Sequence, residues 1–564
     1  MTTRGKIVFT IIFLAFVGFG VVRWWNKLKP VGVGAPTRAA QSAKSDAEKS
    51  DSKEETPEIK LVPTQFEVPK LDPPAVYAPK DNIVDVELSE YAGYSGLIVA
   101  NGGLEPNDNS IFAKKYGFKV RIKLSEEESW SALNSGKMAA SATTVDVLAV
   151  YGRQFNVVVP VQIGFSRGAD GIVVSKDIRR INDLKGKILA ASQFTEADFF
   201  IRYLAQEAGL AVNLLGALDD KPDPEKINLV YAEDAFQACD QFLADAVGGA
   251  RRLMGCVTWA PRTTEAVEES KGAARLLTTN TNLLVIADIL IVNKGFAQAE
   301  PKMVEGLVAG LLEGNKMVRT NPDAHLDTIA KAFTTEESKW DRAKAKEELK
   351  KVHLSNGPEN LAFFSGAIAA AGSYGGIYQS AIYAYGKELI KEPVDGERFV
   401  DTTVLKALET AGAFAGEQIA IAPIKTATAG SVEDNPLLSK NIRFLFNPNS
   451  SDLNVSDPGN LKNLGALKQL LQVSPGSKLL LRGHVDNSKV EEFRKQGGEG
   501  FLRTRAMEAI ELSKKRANEI QRLLIEREQV DANRLETIGR GWEEPLGADM
   551  DQNRRVEAQW FTLE

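Results

Sequence analysis

The sequence predicts a multidomain protein in which an N-terminal single transmembrane helix and a polar tether precede two folded parts. Three observations point to this organisation: an apolar run at residues 7–22, alternating strand-like and helical segments from about residue 91 to 390, and a shorter mixed pattern after residue 441. A chain of 564 residues is also too long for one hydrophobic core. We expect the first folded part to be α/β with a parallel sheet, and the second to be an α+β sandwich.

Residues 1–26 are predicted to form a membrane anchor or a signal segment. Arg4 and Lys6 precede the apolar run, and Trp24 and Trp25 follow it as candidate interfacial residues. The run is short for a spanning helix, but no small-residue cleavage pattern directly follows it, which favours an uncleaved anchor.

The next segment, residues 27–82, is predicted to be a disordered tether. It is rich in alanine, serine, lysine, glutamate and proline, and such a segment buries too little apolar area to offset the entropy of ordering it. The α/β part is then assigned to residues 83–430 and the C-terminal part to residues 437–564.

Composition and the rarer residues exclude several classes of function. A hydrophobic fraction of 43%, a charged fraction of 26% and a net charge of −6 are ordinary for globular protein and give no sign of a nucleic-acid partner. Cys239 and Cys256 are expected to be buried free thiols, although an oxidising compartment would let them pair. The three histidines show no zinc-type spacing, so we predict no metal and no cofactor.

The apolar periodicity gives specific elements in both folded parts. In the α/β part we predict strands at 97–100, 119–124, 187–191, 228–231 and 253–258, and helices at 194–209 and 301–320. In the C-terminal part we predict strands at 442–446, 478–485, 535–539 and 555–560, a helix at 460–471, and a long helix ending near residue 528.

The α/β part resembles a known family. Residues 171–191 read as strand, Asp-Leu-Lys-Gly-Lys turn and strand, and a helix then opens at residues 192–196. This segment resembles the periplasmic solute-binding proteins of ABC importers, in particular those for sulfonates, nitrate and thiamine precursors. Residues 94–96, 141–146 and 258–261 share the resemblance. The resemblance implies two α/β lobes, joined by crossover strands near 168–175 and 283–293, that close on a ligand.

By position in that family pattern, eight residues should line the cleft between the lobes. The helix that opens at residues 192–196 presents free backbone N–H groups, which can bind an anion or a polar ligand head, so an oxyanion is one candidate solute. The alternative is that the hydroxyl residues only cap helices and that the tryptophan belongs to the core. The eight candidates are Tyr94, Ser95, Thr143, Thr144, Ser192, Phe194, Thr195 and Trp259.

Three signatures near the C-terminus carry a second resemblance. Leu-Arg-Gly-His-Val-Asp at 481–486, Leu-Ser-Lys-Lys-Arg-Ala-Asn at 512–518 and Asn-Arg-Arg-Val-Glu at 553–557 occur in the order found in the OmpA-like peptidoglycan-binding domain. The resemblance implies that Asp486 and Arg516 hold the ammonium and the carboxylate of diaminopimelate in the stem peptide.

The last signature adds Asn553, Arg554 and Arg555 as candidates for the same groove. The sequence departs from the family at Val485 and Ala509 and by an insertion at 489–500, which affects fine specificity. The alternative is that Asp486 caps the next element and that Arg516 lies on a solvated face.

The sequence contains no motif that indicates catalysis. Gly-Phe-Ser-Arg-Gly at 164–168 matches a hydrolase nucleophile elbow, but strand-like sequence follows it where a helix is required. No phosphate-binding loop is present. A stator-like proton channel is excluded because residues 7–22 contain no aspartate or glutamate.

We therefore expect a binding protein and not an enzyme. It would sit in the inner membrane as a single-pass protein with its bulk in the periplasm, bind a small solute in the middle domain and bind peptidoglycan at the C-terminus. An ABC permease is a candidate partner. The alternative is a wall-anchored scaffold whose solute-binding-like domain docks a protein instead of a small molecule.

Overall fold

The computed structural model describes residues 59–125, 130–247, 249–335, 338–368, 372–421, 436–447, 450–474 and 476–561. The predicted anchor, residues 1–26, lies outside these ranges. Within them, no helix reaches the combined length and hydropathy of a membrane span.

Two six-stranded sheets form the larger part of the structure. In chain order their strands are β1 (Ile83–Leu88), β2 (Lys119–Leu124), β3 (Ala140–Thr144), β4 (Val157–Ser166), β5 (Asp170–Ser175), β6 (Ile188–Ser192), β7 (Val212–Leu214), β8 (Ile227–Ala232), β9 (Leu253–Trp259), β10 (Ala274–Thr279), β11 (Ala287–Asn293) and β12 (Val352–Leu354). The order is β12-β4-β11-β3-β1-β2 in one sheet, called lobe 1 with its helices, and β10-β5-β9-β6-β8-β7 in the other, lobe 2.

Helices cover both sheets. They are α1 (Ser95–Asn101), α2 (Trp130–Asn134), α3 (Val145–Tyr151), α4 (Glu196–Glu207), α5 (Ala235–Val247), α6 (Arg262–Glu269), α7 (Lys294–Ala299), α8 (Pro301–Thr320), α9 (Leu326–Phe333), α10 (Arg342–Leu349), α11 (Gly357–Ser365), α12 (Tyr374–Leu389) and α13 (Thr403–Thr410). Helix α12 packs on α3 of lobe 1 and on α4 of lobe 2. The two lobes therefore share part of their helical cover.

The chain crosses between the lobes at two neighbouring places. It passes from β4 to β5 through residues 167–169 and from β10 to β11 through residues 280–286, at or beside the predicted crossovers. Asn280 ties the two crossings together, because its Oδ1 accepts from Gly168 N at 2.8 Å and its Nδ2 donates to Ser166 O at 3.1 Å. The two-lobed α/β arrangement expected of periplasmic binding proteins is confirmed.

The sheets are mixed and not purely parallel. Strand β1 pairs in parallel with β2 and β3, and β6 does so with β8 and β9. The crossover strands pair antiparallel, as β11 does with β3 and β5 with β9. The expectation of a parallel sheet holds for β1–β3 and for β6–β9, and fails for the crossover strands and for β12, which pairs antiparallel with β4.

Most predicted elements are present, and two are wrong: the strand predicted at 97–100, and the strand predicted at 442–446, which lies at Leu438–Ile442. Strands near 119–124, 187–191, 228–231 and 253–258 and the helix at 301–320 are confirmed to within two residues. The predicted strand at 97–100 is instead part of α1. A four-residue apolar run does not distinguish strand from helix, and here Gly96 lets α1 approach α8, where an added Cβ would lie 1.9 Å from Asn315 Oδ1.

Residues 59–82, called the leading segment, run along both lobes. Val62 N donates to Tyr231 O of lobe 2 at 2.9 Å, and Ala75 N donates to Asn134 O of lobe 1 at 2.9 Å. Tyr77 is buried, and its hydroxyl donates to Asp85 Oδ2 at 2.8 Å. The predicted disordered tether, residues 27–82, therefore does not extend to residue 82, because the leading segment satisfies backbone groups on the lobes.

Cys239 and Cys256 form a disulfide that joins α5 to β9. The expectation of free thiols is wrong. Helix α5 packs directly on β9 and brings the two Cα atoms to 5.0 Å, within the range that a disulfide requires.

The C-terminal part is an α+β unit. It consists of β13 (Leu438–Ile442), α14 (Pro458–Val473), β14 (Lys478–Gly483), α15 (Val490–Glu526), β15 (Leu535–Gly539), α16 (Met550–Asn553) and β16 (Val556–Phe561), with the sheet order β13-β16-β14-β15. Helix α15 packs on β14, β15 and α14, and buries Ile520 and Leu524. The insertion at 489–500 forms the start of α15 and ends in a kink at Gly497 and Gly498, where Gly498 has φ +64°.

This unit docks on lobe 2 and on the second crossing. Asn182 donates to Ser439 O at 2.9 Å and accepts from Ser439 N at 2.8 Å, so one side chain satisfies the edge of β13. Leu284 N, within the 280–286 crossing, donates to Val473 O at 2.7 Å. The C-terminal unit thus contacts the segment that joins the lobes.

Candidate functional site

A cavity between the lobes lies beside the two crossings. Its volume is about 30 Å³, well below the roughly 300–1,000 Å³ of ordinary ligand pockets, so a small organic ligand would require the lobes to open. Its walls are formed by Ser89, Tyr91, Tyr94, Thr144, Ser166, Asp170, Glu196, Trp259, Ile286 and Asp288.

Strand ends place the lobe 1 wall. Tyr91 follows β1, Thr144 ends β3, and the carboxyl ends of parallel strands meet at one edge of a sheet. The rings of Tyr91 and Tyr94 meet edge to face with centroids 5.2 Å apart. Gly93 permits this pair, because a Cβ there would lie 2.2 Å from the ring of Tyr91.

Two buried carboxylates stand on the crossover strands. Asp170 begins β5 and Asp288 is the second residue of β11, and their exposed fractions are 3% and 2%. Asp170 Oδ2 accepts from Asn280 Nδ2 at 3.2 Å, and Asp288 Oδ1 accepts from the Tyr94 hydroxyl at 3.4 Å. Asp288 Oδ2 accepts no hydrogen bond from any described residue.

These carboxylates resist ionisation when the cavity is empty. Burial raises the pKa of Asp288 well above its usual value, and repulsion from Asp170 raises it further. Burial also raises the pKa of Asp170. Behind the wall, burial raises the pKa of Asp146 to about 7. The site is therefore acidic and poorly solvated.

Three of the eight predicted solute residues line the cavity: Tyr94, Thr144 and Trp259. The other five do not. Ser95 and Thr143 are fully buried, the Thr195 hydroxyl donates to Ser192 O at 2.9 Å, and Phe194 packs its ring against Tyr151 and Tyr385. The alternative, in which the hydroxyl residues cap helices and the tryptophan is core, gains no support: Thr144 and Thr195 stand at the N-caps of α3 and α4 without a side-chain capping bond, and Trp259 lines the cavity.

The start of α4 already holds carboxylates of this chain. Asp198 Oδ2 accepts from Phe194 N at 3.2 Å, and Asp198 Oδ1 accepts from Arg202 Nε at 2.7 Å. Glu196 stands in the first helical turn and lines the cavity. The helix end on which the oxyanion prediction depended is therefore occupied by negative groups, which argues against an anion there.

Sequence reasoning missed the acidic residues of the site. Asp170 and Asp288 each follow an alanine and open an otherwise apolar run, Ala-Asp-Gly-Ile-Val-Val and Ala-Asp-Ile-Leu-Ile-Val. A charged residue inside an apolar strand is costly unless it has a function or a partner. That repeated pattern was the signal that could have found them.

In the C-terminal unit, three of the five predicted wall-binding residues lie together. Arg554 Nε donates to Asp486 Oδ2 at 2.7 Å, and Ser488 N donates to Asp486 Oδ1 at 3.1 Å. The guanidinium of Arg516 lies over the ring of Phe446, 4.9 Å from its centroid, and its Nε makes no hydrogen bond within the described residues.

The charges of this cluster are coupled. Although burial opposes ionisation of Asp486, its contacts with Ser488 and Arg554 hold its pKa below the usual value. Burial lowers the pKa of Arg516, repulsion from Arg554 adds to this, and Asp486 opposes it. One carboxylate therefore lies near two guanidinium groups, an arrangement suited to a ligand that carries both an ammonium and a carboxylate.

Asn553 and Arg555 lie outside that cluster. Asn553 is fully buried and pins a loop by accepting from Leu546 N at 2.8 Å and donating to Gly547 O at 3.0 Å. Arg555 Nε donates to Asn441 Oδ1 at 2.9 Å, which braces β13. Both side chains have structural partners.

One group of side chains in the described ranges has metal-like spacing: His484, Glu544 and Glu557. The guanidinium of Arg482 binds both glutamates and so occupies the place of a cation. This group therefore does not indicate a metal site.

Comparison with known proteins gives two family matches. Residues 112–325 match the family model described as NMT1/THI5 like, and residues 445–559 match the OmpA family. No curated protein matches the chain.

Among solved structures, the chain is similar to the periplasmic aliphatic sulphonate binding protein SsuA from Escherichia coli, with 15% identity, a TM-score of 0.42, and coverage of 58% of this chain and 100% of that one. The alkanesulfonate-binding protein SsuA from Xanthomonas axonopodis pv. citri, bound to MOPS, has 16% identity and a TM-score of 0.42, with coverage of 57% of this chain and 99% of that one. A ligand-binding component of an ABC-type import system from Staphylococcus aureus has 12% identity and a TM-score of 0.40, with coverage of 57% of this chain and 98% of that one. With its two family matches in series, the chain carries an NMT1/THI5-like domain followed by a C-terminal domain of the OmpA family.

Proposed function

We propose that this protein is a solute-binding protein of the periplasm that is attached to peptidoglycan through its C-terminal domain. The N-terminal apolar run would anchor it in the inner membrane, and an ABC permease would be its partner if it delivers the solute. It would act by binding and not by catalysis. The disulfide between Cys239 and Cys256 supports an oxidising compartment.

The observation that carries the solute-binding role is the cavity between the lobes. It lies beside the two crossings, where a change of backbone angles would open or close it. Asp288 Oδ2 is buried there without a hydrogen bond from any described residue, and leaving such an atom unpaired is costly. A bound solute would supply the missing partner.

The wall-binding role is supported by the cluster of Asp486, Arg516 and Arg554. Diaminopimelate presents an ammonium and a carboxylate on one side-chain end, which Asp486 and Arg516 would bind respectively. The guanidinium offers two parallel N–H donors to the carboxylate, whereas a lysine would act as a point charge. Arg554 would exchange its contact with Asp486 for the ligand.

A thermal-shift and calorimetric screen of the full chain tests the solute-binding role. The screen would contain amines, amino acids, sulfonates, phosphate, sulfate and pyrimidines. We expect one class to raise the melting temperature, because a ligand that binds only the folded state stabilises it by mass action. No shift with any class would favour the scaffold alternative, in which the middle domain docks a protein.

A further inference from the structure

The charged groups that line the cavity are all acidic. Asp170, Glu196 and Asp288 line it, and no lysine, arginine or histidine does so in the described ranges. Asp146 adds a fourth carboxyl group behind the wall, and its field reaches Asp288.

Basic residues nearby are already engaged elsewhere. Arg202 binds Asp198 at 2.7 Å, and Arg262 binds Asp240 and Glu269. Asp288 and Asp170 accept hydrogen bonds from neutral partners, the Tyr94 hydroxyl and the Asn280 amide. Because these two buried carboxyl groups resist ionisation in the empty cavity, a cationic ligand would supply the counter-charge that their ionised forms require.

Aromatic faces complete the wall. Tyr91 and Tyr94 stand on the lobe 1 side, and Trp259 stands on the lobe 2 side with its ring 5.3 Å from that of Phe236. Aromatic faces attract ammonium groups and pack against the apolar body that carries them. The combination of carboxylates and aromatic rings suits both primary amines and quaternary ammonium groups.

A bare metal ion fits the cavity less well. Among the described residues, carboxylate and imidazole ligand atoms converge to metal-like spacing only at His484, Glu544 and Glu557, in the other domain. The carboxylates of the cavity do not form such a group.

We propose that the solute is a small organic cation, an amine or quaternary ammonium compound, held by Asp288 and Asp170 against Tyr91, Tyr94 and Trp259. This inference rests on the proposed solute-binding function. It assigns the opposite charge to that of a sulfonate or nitrate.

Charge-matched probes test the proposal by isothermal titration of the full chain. Choline, butylamine and putrescine are the cations, 3,3-dimethyl-1-butanol is the neutral isostere of choline, and butanesulfonate and ethanesulfonate are the anions. We expect at least one cation to bind at least tenfold more tightly than the neutral and anionic probes. Asp288→Asn, which keeps the side-chain shape, should weaken that cation by a further tenfold or more.

Asp108→Asn is the matched control, because Asp108 lies in lobe 1 with its side chain 83% exposed. It should leave cation binding unchanged. Binding of a sulfonate without a cation would overturn this proposal and leave the solute-binding function standing. Binding of none of the six probes, together with a negative screen of all other classes, would overturn both. Equal loss in both variants would overturn the role of Asp288.

Discussion

The buried carboxyl group of Asp146 should make the empty protein less stable as the pH rises. Asp146 lies in the first turn of α3 with no exposed surface. Burial raises its pKa from 3.8 to about 7, and the negative charges of Asp170 and Asp198 add to the rise. The folded state therefore binds a proton more tightly than the unfolded state, and the stability that this proton confers is lost as pH rises from about 4 to 7.

The size of the effect follows from the two pKa values. With 1.36 kcal/mol for each pH unit, the stability that the wild type loses through this raised pKa is about 1–2 kcal/mol at pH 5 and about 4 kcal/mol at pH 8. Asp146→Asn removes the titration and keeps the shape. The variant should therefore gain about 3 kcal/mol relative to the wild type between pH 5 and pH 8.

Urea unfolding of the ligand-free full chain, followed by tryptophan fluorescence at pH 5 and pH 8, measures this difference. Titrations of groups that do not interact with Asp146 cancel when the variant is compared with the wild type at each pH. Asp108→Asn should show no pH-dependent gain. The same pH dependence in wild type and Asp146→Asn would refute the conclusion that this buried group is neutral in the empty protein.

Three further predictions concern the C-terminal domain and its docking. Asp486→Ala or Arg516→Ala should abolish sedimentation with purified sacculi. Arg522→Ala, on α15 like Arg516, should sediment like wild type. Sedimentation of both Asp486→Ala and Arg516→Ala with sacculi would contradict the assignment of the wall-binding cluster. Because contacts hold the pKa of Asp486 below its usual value, wild-type sedimentation should not fall between pH 8 and pH 5, and a loss above pH 5 would count against that carboxylate. Asn182→Ala should cost about 1–3 kcal/mol and speed amide exchange at Ser439, since it leaves buried backbone groups unpaired; unchanged exchange would show that the docking does not depend on Asn182.

The sequence predicted the fold where apolar periodicity was long or repeated. The helix at 301–320 has five turns of periodic pattern, and its bounds match α8. The short run at 97–100 carries no such information, and its helical form depends on contacts with α8. The leading segment is held in place by hydrogen bonds to both lobes. Composition alone predicts disorder for such a segment and does not reveal these contacts.

The residues of the site were harder to predict from the sequence than the fold was. Family position found Tyr94, Thr144 and Trp259, which follow strand ends or close a strand. It did not find Asp170 or Asp288, because they stand on strands of two different sheets, and only the assembly of the two lobes brings them to one cavity. The positive charge that we propose for the solute therefore follows from the assembled lobes and not from the sequence.

The most direct test of a wall-attached solute receptor is co-sedimentation of labelled ligand with sacculi in the presence of the full chain. The probe would be whichever of choline, butylamine and putrescine gives the largest heat of binding. The account predicts that label sediments with wild-type protein and is lost with either Asp288→Asn or Asp486→Ala, because each variant breaks one of two independent links. Label that sediments equally with Asp288→Asn, or protein that never sediments with sacculi, would contradict it.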